Sequence, residues 1–333
     1  MAISKSQQFF ENLWYRPTVW WLWLLLPLQL LLRVIVWLRR KFYQWGIFKS
    51  YKPAVPVVVI GNINVGGTGK TPLAIYLIKL LSKQGLKVGL VTRGYGGESA
   101  HYPLLMTEQV KPQECGDEPF LIYNHTAATI VVDPNRSRGA EKLAELGCDL
   151  VLCDDGLQHY KLQRDLEIVV IDGQRQFGNG WLMPFGPLRE PVSRLNSADI
   201  QVVNGQSMQL IAKSITQMND WQPVSLDTQA IIQKNCHAVA AIGNPQRFYS
   251  TLARLGFNFS QHSFPDHHQF TADDIERIRQ NQSLPIVMTE KDAVKCREFD
   301  VDDLYFLPVE AQLDKELEVQ ILHSIESITR HIA

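Results

Sequence analysis

From Asn64 to Thr71 the chain reads Asn64-Val65-Gly66-Gly67-Thr68-Gly69-Lys70-Thr71, a spacing suited to cradling phosphate. Glycines let successive backbone N–H groups turn toward an anion, and a helix that follows adds the positive end of its dipole. Lys70 has the reach to meet β and γ oxygens, and the Thr71 hydroxyl is placed to ligate Mg²⁺. The strict phosphate-loop pattern has glycine where this chain has Asn64, and asparagine tolerates a left-handed backbone better than most residues. A second feature carries acids. Leu150-Val151-Leu152-Cys153 is a buried-type run that ends in Asp154-Asp155-Gly156, where a parallel sheet presents its ligand-binding edge. In phosphoryl-transfer sites one such acid holds Mg²⁺ directly or through water. No Asn-Lys-x-Asp guanine reader occurs in the chain, so ATP is the expected nucleotide.

Transfer to an alcohol also needs a group that positions and deprotonates the acceptor. Two places offer one. Gly116-Asp117-Glu118-Pro119 is an acidic turn that equally suits the start of a helix, with proline in its first turn. Phe264-Pro265-Asp266-His267-His268, with His262 nearby, reads either as a surface cluster or as metal ligands. Five cysteines without a CxxC pair read as reduced, buried thiols.

The elements that must position these groups alternate. A β-branched run at 55–60 is expected as a strand, followed by a helix over 72–84 with apolar residues at helical spacing and Gly85 behind it. Strands are expected at 87–92, 129–132, 150–153, 167–171 and 200–203, with a helix at 138–146. Short apolar strands alternating with helices predict an α/β fold, a largely parallel sheet of the P-loop NTPase type covered on both faces. The polar stretch 206–235 is expected to connect this domain, 53–205, to a second, smaller α/β domain at 236–333. That domain should contain strands at 238–242 and 285–288, helices at 247–255 and 271–280, and a C-terminal helix from about Lys315.

The chain as a whole is nearly neutral, with 33 basic and 34 acidic side chains in 333 residues, a balance that gives no reason to expect a nucleic-acid partner. The charge is unevenly spread, however. Residues 1–52 hold eight basic side chains and one acid, Glu11. They also hold six of the eight tryptophans and an uncharged run from Pro17 to Leu32 that resumes after Arg33. Tryptophan favours the headgroup boundary, and the Arg39-Arg40-Lys41 cluster suits an anionic cytoplasmic leaflet. The segment is therefore expected to attach to a membrane. Its apolar run, broken by Pro27, Gln29 and Arg33, is marginal for a span, which needs about 20 apolar residues, so a helix lying in the leaflet is favoured over a single crossing.

Taken together the motifs resemble the tetraacyldisaccharide 4′-kinase (lipid A 4′-kinase) family. They are GNINVGGTGKTP (61–72), TRGYGG (92–97), GDEP (116–119), DDGLQH (154–159), PFGPLRE (184–190), GNPQRF (243–248), FPDHH (264–268) and TEKDAVK (289–295). They run in family order along nearly the whole chain. The resemblance implies transfer of the ATP γ-phosphate to the 4′-hydroxyl of a tetraacylated glucosamine disaccharide 1-phosphate, giving the bis-phosphorylated lipid A precursor at the cytoplasmic face of the inner membrane. It implies Asp117 as general base, His267 as its partner, and Asp154, Asp155 and Glu190 joining Thr71 around Mg²⁺. Arg93 and Arg189 are further candidates for phosphate contact. The competing expectation from another class is a membrane-recruited P-loop switch ATPase acting on a protein partner. It would share the loop and the acids, but it would have no use for Asp117 and His267 as a reaction pair.

Overall fold

The computed structural model describes residues 13–15, 20–280, 282–299 and 301–329. The start of the uncharged run, at 17–19, lies outside them, as do the charged residues Lys5, Glu11 and Arg16. The strands, in chain order, are β1 (Val57–Gly61), β2 (Val88–Thr92), β3 (Leu104–Leu105), β4 (Thr129–Val132), β5 (Leu150–Asp154), β6 (Leu166–Asp172) and β7 (Ile200–Asn204). They continue with β8 (Met208–Ala212), β9 (Thr216–Gln217), β10 (Cys236–Ala240), β11 (Phe259–Ser263), β12 (Ile286–Thr289), β13 (Leu304–Leu307) and β14 (Val309–Leu313).

Two compact units divide the chain, one formed by Phe9–Gln209 with Ala311–Ala333, the other by Leu210–Glu310. In the first, a nine-stranded sheet has the order β14-β8-β7-β6-β1-β5-β2-β4-β3. β1 lies between β5 and β6 and is parallel to both, with Ile60 opposite Asp154. All five residues of β1, β2 and β5 are buried. That is why these strands read as continuous apolar runs rather than alternating ones: helices cover both faces of a parallel sheet. The helix Lys70–Lys83 covers part of it with Leu73, Ala74, Leu77, Ile78 and Leu81, the i, i+4, i+7 face expected of an amphipathic helix. Consequently the carboxyl ends of β1, β2, β4, β5, β6 and β7 share one edge. The phosphate loop, TRGYGG, Asp133, Asp154-Asp155, Asp172 and Asn204 all lie at or just after those ends.

The second unit holds a five-stranded sheet, β11-β10-β12-β13-β9, parallel except for β9. The stretch 206–235, expected as a connection, supplies β8, β9 and a helix, Leu226–Lys234, capped by the Ser225 hydroxyl. Its polar composition reflects exposure: β8 buries Met208 and the helix buries Ile232, with Ile215, Thr216 and Met218 buried at and around β9. The C-terminal helix, Lys315–Thr329, belongs with the nucleotide-type unit rather than with the second domain. It buries Leu317, Ile321 and Ile325, and Glu318 accepts a hydrogen bond from the Tyr76 hydroxyl.

The N-terminal hydrophobic segment forms one continuous helical stretch, Trp20–Gln44, long and apolar enough to cross a membrane by length and composition. Its polar residues make specific contacts with the rest of its unit. Gln29, the buried residue of Leu26–Gln44, exchanges two hydrogen bonds with the Leu182 backbone at 2.8 and 3.3 Å. Arg33 donates to the Gly180 carbonyl at 3.2 Å and Arg40 to the Ser197 hydroxyl at 2.6 Å. These three residues lie at i, i+4 and i+11, one face of a helix. With Arg39 bonded to the Gln158 carbonyl at 3.3 Å, they tie the helix to its unit along most of its length. Leu22, fully buried with Trp181, adds about 2 kcal/mol of burial. Along the same stretch Trp20, Trp23, Leu24, Leu31, Ile35 and Trp37 remain exposed.

Candidate active site

In the phosphate loop, Gly66 and Gly69 both have φ of +103°, a conformation that side-chain-bearing residues rarely adopt. Gly69 caps the helix that starts at Lys70. Space forbids a side chain there too, since a Cβ on Gly69 would fall 2.5 Å from the Asn204 amide nitrogen. That amide donates to the Thr68 carbonyl at 2.9 Å, and Asn62 donates to the Thr68 hydroxyl at 3.3 Å. Asn62, just after β1, and Asn204, at the end of β7, therefore both brace the loop. Sequence reading missed both, because a lone asparagine carries no motif. It also misjudged Asn64, which is absent from the left-handed residues. Asn64 bridges Leu188 as extended chain, and its side-chain amide donates to the Gln176 carbonyl at 2.6 Å. Its tolerance of positive φ is thus not what suits it to the place. Val65, Gly66, Gly67 and Thr68 line a small cleft with Asp172 and Arg175.

Lys70 reaches the acids at the end of β5, with its ammonium 3.3 Å from the Asp155 carboxylate. Arg189 holds both oxygens of the same group at 2.9 and 3.0 Å. Burial works to raise the Asp155 pKa, but the Lys70 and Arg189 charges overcome it and hold the carboxyl well below its usual range. Asp155 itself has φ of +46°, the turn that swings its carboxylate away from its neighbour. Asp154 is the contrast. It is buried, and neither of its carboxylate oxygens has a hydrogen-bond partner. Burial first, and then the Glu118 charge, pushes its pKa up to about 7. An orphaned, fully desolvated carboxyl costs several kcal/mol unless something cationic satisfies it.

Glu190 is equally deep. One oxygen accepts the Tyr160 hydroxyl at 2.7 Å and lies 3.2 Å from Arg194, while the other is buried without a partner. Among the described residues no three His, Cys, Asp or Glu side chains converge as a metal cage. Asp154, Asp155 and Glu190 are thus not gathered into one ready-made set: Asp155 is turned to Lys70 and Arg189, Glu190 to Tyr160 and Arg194. Mg²⁺ does not demand such a cage, since it is commonly held by one or two carboxylates together with substrate phosphates and water. The orphaned oxygens of Asp154 and Glu190 fit that requirement.

Arg136 is a further residue that the sequence did not flag. It is buried at the start of the helix Arg136–Glu145, donates to the Asp155 carbonyl at 3.3 Å, and has a buried Nε with no partner. The adjacent Ser137 hydroxyl is likewise buried and unpartnered.

Asp117 opens the helix Asp117–His125 and is buried. Its position follows from glycines. Gly116 has φ of +90°, and a Cβ on it would meet the Tyr95 carbonyl oxygen at 2.6 Å. A Cβ on Gly97 would likewise strike the Gly116 nitrogen. TRGYGG is therefore the loop against which the backbone before Asp117 packs, and Arg93 at its start is exposed.

The histidines separate. His262 meets His237 and the Ser260 hydroxyl at 3.1 Å each, His268 pairs with Asp274 at 3.1 Å, and His267 lies 3.5 Å from the Lys291 ammonium. The expectation of a single His262, His267 and His268 cluster is corrected accordingly: β11 carries His262 to the side of His237, two residues along the parallel pair from Ser260, which lies opposite His237. His267 belongs to the Leu210–Glu310 unit.

A parallel sheet with a phosphate loop after its central strand, a lysine at the following helix start and acids at the neighbouring strand end define a P-loop NTPase-type phosphotransferase. Family comparison narrows this. The model of the tetraacyldisaccharide-1-P 4′-kinase family matches residues 21–326, and the chain belongs to that family. The tetraacyldisaccharide 4′-kinase of Psychromonas ingrahamii is 47% identical, over 95% of this chain and 98% of its own. That of Tolumonas auensis is 43% identical over 96% and 98%. The crystal structure of LpxK from Aquifex aeolicus in complex with ATP superposes with a TM-score of 0.74 at 28% identity, covering 92% of this chain and 98% of that one.

Proposed function

We propose that this enzyme transfers the γ-phosphate of ATP to the 4′-hydroxyl of a tetraacylated glucosamine disaccharide 1-phosphate at the cytoplasmic face of the inner membrane. The product is the bis-phosphorylated lipid A precursor. The observation that carries the reading within the site is the arrangement at the end of β5: Lys70 and Arg189 converge on Asp155 while Asp154 stands buried and unpartnered beside them. The nucleotide's phosphates would sit in the Asn64–Thr71 loop. Lys70 would exchange its contact with Asp155 for the β and γ oxygens, and Arg189, on the same carboxylate, is the second cation available to the transferring group. Thr71 and Asp154 would hold Mg²⁺, with Asp155 and Glu190 completing the set. The ion supplies charge neutralisation of the phosphates. Asp117 would accept the proton of the sugar hydroxyl, with His267 as its partner. In a loose transition state positioning and charge neutralisation dominate, so Lys70 should matter more than the base. A switch ATPase is not favoured, because residues 21–326 match the kinase family and the chain keeps the acidic helix start that such a switch would not need.

Replacing Glu190 with Gln or Asp154 with Asn should raise the Mg²⁺ concentration for half-maximal turnover roughly tenfold or more, the usual cost of altering a metal's inner or supporting residues. A magnesium titration of kcat checks this, and an unchanged requirement in both variants would remove these carboxylates from the metal.

The substrate explains the N-terminal helix. Drawing an acyl chain out of a bilayer costs about 0.8 kcal/mol per CH₂, so the enzyme must work at the membrane. The helix is bound along its unit by Gln29, Arg33 and Arg40, which leaves its exposed apolar side for the leaflet surface rather than for a crossing. With anionic vesicles, tryptophan fluorescence should be quenched strongly by lipids brominated near the headgroup and weakly by those brominated at the chain ends. Stronger quenching by the deep label would contradict a helix lying in the interface.

A further inference from the structure

The TEKDAVK motif takes no part in the chemistry described so far, yet its helix, Glu290–Lys295, packs its charged groups toward the turn that carries His267. Asp292 is fully buried. One of its oxygens accepts from the Ala241 backbone N–H at 2.9 Å and from the Thr289 hydroxyl at 2.6 Å. The other accepts from Lys295 at 2.8 Å, an ion pair with side-chain exposures of 3% and 0%. Ala241 is the residue after β10, and its carbonyl accepts the His267 backbone N–H at 3.3 Å. His267 itself sits at φ of +61°, a left-handed conformation that a non-glycine residue keeps only where its surroundings hold it.

The ring is held as well. Lys291 places its ammonium 3.5 Å from His267 Nε2 and 3.9 Å from the Asp266 carboxylate. An ammonium only donates, so keeping this contact calls for the tautomer in which Nε2 accepts and the hydrogen lies on Nδ1, although the Asp266 carboxylate also lies 3.8 Å from Nε2. His267 then has an N–H to offer a carboxylate from its other ring nitrogen.

We propose that the Glu290–Lys295 helix positions His267 for the reaction, with Asp292 fixing the main chain that carries it and Lys291 fixing its ring. Both are positioning residues, acting through His267 rather than on substrate, and the proposal rests on His267 being the partner of the base. Because Asp292 and Lys295 form a buried pair, removing one charge leaves the other uncompensated and destabilises the fold. Lys291, at 18% side-chain exposure and 3.9 Å from an Asp266 that is itself 30% exposed, is the less buried of the two lysines and the milder site to substitute.

The test uses the full-length protein with lipid acceptor in mixed micelles, measuring kcat, both KM values and thermal unfolding. Lys291→Met should lower kcat roughly tenfold, the scale of a small loss of orientation, with KM for ATP and the unfolding temperature unchanged. Lys291→Arg, which keeps a donor, should recover much of the loss. In a His267→Ala background the Lys291→Met substitution should add almost nothing, the non-additivity expected of residues acting as one unit. Asp292→Asn should lower kcat in the same His267-dependent way, in addition to any loss of stability. Wild-type kcat in Lys291→Met beside an impaired His267→Ala would overturn the proposal, as would losses that simply multiply in the double variant. Full activity in His267→Ala alone would overturn the role of His267, and the proposal with it.

Discussion

Replacing Lys70 with Ala should lower kcat by about 10³-fold or more, the scale for removing a preorganised charge from the group being transferred. Lys70 follows a left-handed Gly69 at the start of the Lys70–Lys83 helix, so its stem is fixed by the helix while its ammonium spans to Asp155 at 3.3 Å. No other lysine is placed in the loop. Arg189 remains on Asp155 in the variant, so the carboxylate keeps one partner and the fold should survive. A stability signature accompanies the loss. The Asp155 pKa is depressed in the folded state, with Lys70 and Arg189 outweighing burial. A depressed carboxyl stabilises the fold above its unfolded value near 4, and that contribution fades as pH falls toward the folded value. Lys70→Ala should therefore unfold at a lower temperature than wild type at pH 7, and the gap should narrow below about pH 4. Steady-state kinetics together with thermal melts at the two pH values check both halves. Unaltered turnover would remove Lys70 from the transfer step, and a gap that widened in acid would contradict the linkage.

Asp117→Asn should lower kcat by about 10²- to 10⁴-fold, the range for removing a general base, and leave KM for ATP within a few-fold. Asparagine keeps the shape of the side chain, and the helix is capped by Gly116 rather than by this residue, so the backbone geometry set by Gly97 and Gly116 should persist. The buried position of Asp117 makes substitution by a bulkier group uninformative, which is why the isosteric change is preferred. Transfer rates at saturating ATP measure the effect, and wild-type turnover in Asp117→Asn would take the base role from this residue.

Much of the nucleotide-type unit was legible in the sequence because its strands are buried on both faces and read as apolar runs. VVVI at 57–60 and LVLC at 150–153 fall within β1 and β5. The elements that escaped are those whose sequence lacks a period. The polar stretch around β8 is an exposed part of the sheet, so its composition imitates a linker. At Asp117–His125 the sequence alone does not separate turn from helix, because proline in a first turn fits both. Of the site, the loop and the acids were found from residue type and spacing. Asn62, Asn204 and Arg136 were not, since each acts through one contact made by distant strand ends. Gly94 and Gly97 of TRGYGG acquire a reason only in three dimensions, where they permit the approach of the Cys115–Gly116 backbone. The division of labour between Asp154 and Asp155 was equally invisible: a one-residue turn at positive φ sends one carboxylate to Lys70 and leaves the other buried without a partner.

The measurement that bears most directly on the proposed reaction is transfer of label from γ-labelled ATP to a tetraacylated glucosamine disaccharide 1-phosphate in mixed micelles. The expected result is a labelled bis-phosphorylated lipid, formed only with Mg²⁺ and lost in Lys70→Ala. Hydrolysis of ATP with all the label in inorganic phosphate and none in lipid would contradict it.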